Sequence, residues 1–103
     1  MALDFIIKNN KEYPKDYLPI DIKTHNIIVT EAKKNVLLMF SRIADYYADS
    51  FYDVSELENL IKEIDMLMEK LSDSKDSINF LGELREMAMS ALKQDTGIRV
   101  RAD

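Results

Sequence analysis

Cysteine is absent from this 103-residue chain, and glycine and proline occur twice each. The first absence removes disulfides, thiolate nucleophiles and cysteine-based zinc sites, and it suits a reducing compartment. The second argues against a turn-rich all-β fold, and Gly82 and Gly97 alone cannot build a glycine-rich phosphate loop. His25 is the single histidine. It offers no histidine cluster for zinc and no second imidazole for relay chemistry, and no serine stands in a nucleophile elbow. Long apolar runs are missing too, since none approaches the roughly 20 residues of a membrane span. The start, MALDFIIKNN, has an aspartate in its apolar stretch and no basic leader, unlike a signal peptide. These absences predict a soluble, cytoplasmic chain with no cofactor, no bound metal, no catalytic residue and no membrane partner.

What the chain does have is apolar and acidic. A hydrophobic fraction of 47% belongs to a globular protein rather than a disordered one. A single domain over 1–103 is expected, able to bury roughly 65% of its unfolded surface. The net charge of −5 is unevenly spread. Residues 45–76 hold ten acids against Lys62, Lys70 and Lys75, a local balance of −7. Nucleic acid is disfavoured as a partner, because phosphate binding needs a basic footprint. A basic protein surface is favoured, unless the acids serve solubility alone.

The periodicities predict an α+β chain dominated by helix. ALDFIIK alternates as a strand with Leu3, Phe5 and Ile7 on one side. Residues 9–23 hold both prolines and no convincing period, and read as a surface loop tacked down by Tyr13, Tyr17, Leu18, Ile20 and Ile22. A long first helix is expected over 24–49, capped by Asp21 or Thr24, with Ile28, Ala32, Val36, Met39, Ile43 and Tyr46 at three- and four-residue steps. Two overlapping capping boxes, Asp53 with Glu56 and Ser55 with Glu58, open a second helix over about 55–71. A third runs over about 77–93, capped at Ser74 or Asp76, and Gly97 ends the helical part before the strand GIRVRAD. The terminal strands have only each other to pair with. The expected order is therefore β-α-α-α-β, a three-helix bundle with a small sheet formed by the N- and C-terminal strands, enlarged if the 9–23 loop lends a strand. Asp4 or Lys8 would then share the outer face of the sheet with Arg99 or Arg101.

Carboxylates are the remaining option for chemistry. On the expected helices Asp45 and Asp49 stand at i and i+4, and Glu83 and Glu86 at i and i+3, spacings with which helical nucleotide pyrophosphatases hold magnesium. Such pairs also arise by chance among 19 acids. The densest stretch is IADYYADSFYD, residues 43–53, with four aromatic rings and three aspartates. Ile43 and Tyr46 would face the bundle, with Tyr47 widening that apolar face, and Phe51 would staple the start of the second helix near Leu57. Tyrosines interleaved with carboxylates also make amphipathic anchors beside charges that pair with a partner's lysines and arginines. The candidate partner-binding residues are Asp45, Tyr46, Tyr47, Asp49, Tyr52, Asp53, Glu56 and Glu58.

With MALDF at the start, LPIDIKTH leading into the first helix, the ADYYADSFYDVSELENLIKEID block and the short closing GIRVRAD, the layout resembles the small immunity proteins of bacterial toxin systems, which neutralise contact-dependent or secreted nuclease toxins. The resemblance implies a tight stoichiometric partner, a toxin domain often basic because it binds RNA or DNA, and no catalysis. The leading expectation is thus an acidic, non-enzymatic inhibitor that occludes a basic toxin domain. A self-associating helical module, homodimeric through a helix face, is the alternative, and a metal-dependent nucleotide hydrolase the third.

Overall fold

A computed structural model describes residues 3–102; Ala2, included above in the first strand, and Asp103, included in the last, lie outside them. The chain is α+β, with helices packed on one face of a four-stranded antiparallel sheet. The terminal strands do pair: Leu3–Ile7 (β1) runs against Ile98–Ala102 (β4) with Leu3 opposite Ala102 and Ile7 opposite Ile98. The 9–23 segment does lend a strand, Leu18–Ile20 (β2), on the free edge of β1. A further strand, Ser50–Tyr52 (β3), lies on the free edge of β4, so the order is β2-β1-β4-β3. Period-two alternation sends Leu3, Phe5, Ile7, Ile98 and Val100 into the core. The same alternation puts Asp4 opposite Arg101, and Ile6 opposite Arg99, on the outer face.

The helices are Ile22–Lys34 (α1), Leu38–Ser41 (α2), Leu57–Lys70 (α3) and Lys75–Lys93 (α4), with a 3₁₀ turn at Val54–Glu56 leading into α3. Asp21 caps α1, its Oδ1 accepting from the Thr24 N–H at 2.7 Å. Of the two expected capping boxes, Asp53 with Glu56 forms and the Ser55 with Glu58 box does not, because the first turn there is 3₁₀. The apolar stripes of α3 and α4 fill the core from Leu57 to Leu67 and from Phe80 to Ala91, and Phe5 packs a ring on Phe80 at 5.5 Å. Arg85 Nε and Asp65 Oδ1, 2.7 Å apart, tie the two helices outside. Tyr17 and Ile22 stand in solvent and do not tack down the loop.

The long first helix expected over 24–49 stops at Lys34. Asn35 caps it, and Val36 turns into the left-handed region at φ 53°. The Leu37 N–H then reaches back to the Ala32 carbonyl at 3.0 Å and the Val36 N–H to Lys33 at 3.3 Å, the paired bonds of a Schellman ending. Helix α4 closes the same way, with Asp95 at φ 54° and Thr96 N–H on the Ala91 carbonyl. Aspartate tolerates that conformation; a β-branched valine does not. The Val36 side chain is 76% exposed, so core packing gives little in return. Three helices become four among the described residues, and the 42–53 segment is freed to form β3.

Val36→Gly should therefore stabilise the fold by roughly 1 kcal/mol, the relief of left-handed strain less the entropy of glycine. In thermal melts that is a rise of about 4–8 °C for a domain of this size. An unchanged or lower midpoint would show that valine is not strained there.

Candidate functional site: the pinned segment 43–53

Because the chain turns at Val36, residues 43–49 run without regular structure into the edge strand β3. Asp45 and Asp49 consequently share no helix face, and the i, i+4 pair expected of them does not exist. Side chains hold this segment in place instead. His25, buried in α1, meets the Ile43 carbonyl with Nε2 at 2.5 Å, and since a carbonyl only accepts, Nε2 carries the proton. The His25 ring also stands edge-on to Tyr46 at 4.9 Å, and the Tyr46 hydroxyl donates to the Ile20 carbonyl at 2.8 Å. Asp45 folds back to accept from the Tyr47 N–H, and Asp49 accepts from the Ala102 N–H at 2.8 Å, tying the loop to the end of β4.

Arg42 fastens the other end. Its Nη1 donates to the Phe51 carbonyl at 3.1 Å and to Glu56 Oε1 at 2.7 Å, with Nη2 on Glu56 Oε2, while the guanidinium lies 5.6 Å from the centroid of the Tyr52 ring. Tyr52 is fully buried and donates to the Met39 carbonyl at 2.5 Å. Burial pushes its hydroxyl well above the ordinary tyrosine value, so it stays a donor. Glu63 of α3 caps α2 with both carboxylate oxygens, accepting from Met39 N–H at 3.0 Å and Phe40 N–H at 3.1 Å.

Two of the eight candidate partner-binding residues are corrected here. Tyr46 and Tyr52 are core plugs, because the turn at Val36 folds the segment back and drives both rings inward; neither ring is open to a partner in the intact fold. Asp53 and Glu56 are brought together, but by the capping box and Arg42. Ser55 hydrogen bonds lower the Asp53 pKa, and the Arg42 hydrogen bond lowers that of Glu56. Asp45, Asp49, Asp53 and Glu58 remain exposed at carboxylate level, and Tyr47 at 62%. Phe51 does not staple Leu57. It lies half out on the sheet's outer face over Gly97, where an added Cβ would collide with the Tyr52 carbonyl and the Phe51 ring.

No protein-family model, curated protein or solved structure matches this chain. The surface must be read from its own residues. Among the described residues no three His, Asp or Glu side chains converge as metal ligands would, and no helix is long and apolar enough to cross a membrane. Glu83, half of the other carboxylate pair, is bound to Lys15 Nζ at 2.7 Å.

Sequence reasoning missed the roles of Arg42 and Glu63, whose partners lie 14 and more than 20 residues away and leave no local pattern. The helix end did have a signal, since Lys33, Lys34 and Asn35 form a basic last turn followed by a residue suited to a C-terminal cap.

Tyr52→Ala should cost roughly 3–5 kcal/mol in denaturant unfolding, as a buried ring does, while Tyr47→Ala, which loses only an edge-on contact with Tyr46 at 5.5 Å, should cost no more than about 1 kcal/mol. Equal losses would mean that Tyr47 is packed rather than displayed. For Glu56, a native pKa below the ordinary 4.5 gives stability that is complete above that value and lost as pH falls through the lower native one. Glu56→Gln keeps an acceptor for the Asp53 N–H but removes the charge facing Arg42. It should lose roughly 0.5–1 kcal/mol near pH 7 and flatten the fall in stability below about pH 4.5. A wild-type acid slope in the variant would assign that slope to other carboxylates.

Proposed function

We propose that this chain is a non-catalytic binding protein that occludes a basic surface on a protein partner, in the manner of the toxin-immunity proteins its sequence resembles. The observation that supports this reading is the pinning of 43–53. An irregular segment held by His25, Tyr46, Arg42, Asp49 and Tyr52 presents Tyr47 outward beside the exposed Asp45 and Asp49, and Asp53 and Glu58 are exposed in the stretch that follows. Rigid display lowers the ordering cost that binding must overcome. An exposed tyrosine offers a large contact area with little side-chain entropy to lose, and the carboxylates accelerate encounter with a cationic surface. The partner is then a basic toxin domain, and the cysteine-free composition suits its neutralisation in the cytoplasm.

Self-association through the α3–α4 face is the second reading, favoured by Met66 and Met89, both half in solvent off the buried stripes. Sedimentation of the purified chain decides between one copy and two.

The test of the first reading is titration against a candidate basic nuclease domain encoded beside this chain. Asp45→Asn, Asp49→Asn and Glu58→Gln together should change the melting curve little, because none fills the core and asparagine keeps the acceptor oxygens that Asp45 and Asp49 give to the Tyr47 and Ala102 N–H groups. They should slow association several-fold and flatten its dependence on salt. Tyr47→Ala should instead raise the dissociation rate, equivalent to roughly 1–3 kcal/mol. Full-affinity binding by both the triple acid variant and Tyr47→Ala would remove 43–58 as the interface.

A further inference from the structure

A groove that adjoins the pinned segment and shares Ala44 with it goes unused by that reading. Between the C-terminal end of α1 and α2 lies a cavity of about 220 Å³ walled by Ala32, Leu37, Phe40 and Ala44, with Val36 and Leu38 at its margin. Those two side chains are 76% and 65% exposed. Apart from Lys33 and Ser41 the lining is apolar, and Lys33 makes no ion pair with any described residue.

We propose that this groove docks an apolar segment of a partner protein whose apolar side chains are flanked by carboxylates. The volume decides against a small molecule: about 220 Å³ lies under the roughly 300–1,000 Å³ of ligand pockets and has room for one or two side chains. Val36 and Leu38 point the same way, because a small occupant would leave them in water and a protein segment would cover them. Charge decides the flanks. In a chain of net charge −5, Lys33 is the one charged residue lining this groove among the described residues, so acidic flanks are drawn to it and basic flanks gain nothing. The strained backbone at Val36 supplies an independent observation. Valine holds a left-handed position that glycine or asparagine would hold at less cost, and its side chain does little for its own core. Strain kept at an exposed apolar residue belongs to a surface that is covered in the working state.

This inference is separate from the pinned segment, which faces cations and is altered by different substitutions. The probes are two synthetic amphipathic peptides with leucine at i, i+3, i+4 and i+7, one bearing flanking glutamates and the other flanking lysines, titrated into the full-length ¹⁵N-labelled chain. The glutamate peptide should shift the amide resonances of Ala32, Leu38 and Ala44 and bind roughly tenfold tighter than the lysine peptide, with salt narrowing the difference. Leu38→Glu should abolish these shifts. Val36→Gly, which folds at least as well, should weaken binding several-fold, and Tyr47→Ala should change nothing. Equal binding of both peptides, no shifts, or shifts centred on Tyr47 and Phe51 would overturn the proposal. So would a concentration-dependent dimer that Leu38→Glu dissolves, since the occupant would then be a second copy.

Discussion

The left-handed turn at Val36 sets the course of the middle of the chain. An uninterrupted helix over 24–49 would carry Ile43 and Tyr46 away along its axis, and residues 50–52 could not return to the sheet. Stopping at Lys34 brings Leu37 back over Ala32 and lets α2 lie against α3, where Glu63 supplies the cap that four residues of helix cannot provide alone. The chain then reaches β4 with Ser50 opposite Val100 and completes a sheet whose central pair is formed by its two ends. A single unfavourable dihedral is tolerable because it is offset by the burial of Leu37, Phe40, Ile43, Tyr46 and Tyr52.

The same turn divides the acidic, aromatic stretch into groups that serve the fold and groups that do not. Tyr46 and Tyr52 are spent on the core, and their hydroxyls satisfy the Ile20 and Met39 carbonyls. Asp53 and Glu56 are spent on the start of α3, with Arg42 neutralising one of them. Tyr47 touches the fold only through the edge of Tyr46, Glu58 is exposed, and Asp45 and Asp49 each give one oxygen to a backbone N–H while remaining exposed residues. A ring displayed on a segment held by hydrogen bonds differs physically from a ring on a loose loop, because its position is fixed before any partner arrives.

Two surfaces of opposite electrostatic character result. One is the carboxylate-bearing segment leading into β3; the other is the apolar groove with Lys33 beside the turn that created both. They meet at Ala44, which lines the groove and belongs to the pinned segment. A partner engaging both would have to present cations and carboxylates in register, a requirement that rejects most wrong partners.

From sequence alone came what depends on local periodicity and on pairing by exclusion: the α+β class, the α3 and α4 stripes, Asp21 as one of two caps for the first helix, Asp53 in one of two capping boxes, and the pairing of β1 with β4, with an acid or lysine of one strand sharing the outer face with an arginine of the other. These rest on contacts within a few residues, or on two strands having no other partner. Where the first helix ended was only faintly marked by Lys33, Lys34 and Asn35, and tertiary structure decided it, because a valine in place of the usual glycine masks the stop and the apolar period continues through it. Tertiary structure also decided the fates of Tyr47 and Tyr52. Periodicity already turned Tyr46 inward, but only the path of the backbone after Val36 buries Tyr52 and leaves Tyr47 in water.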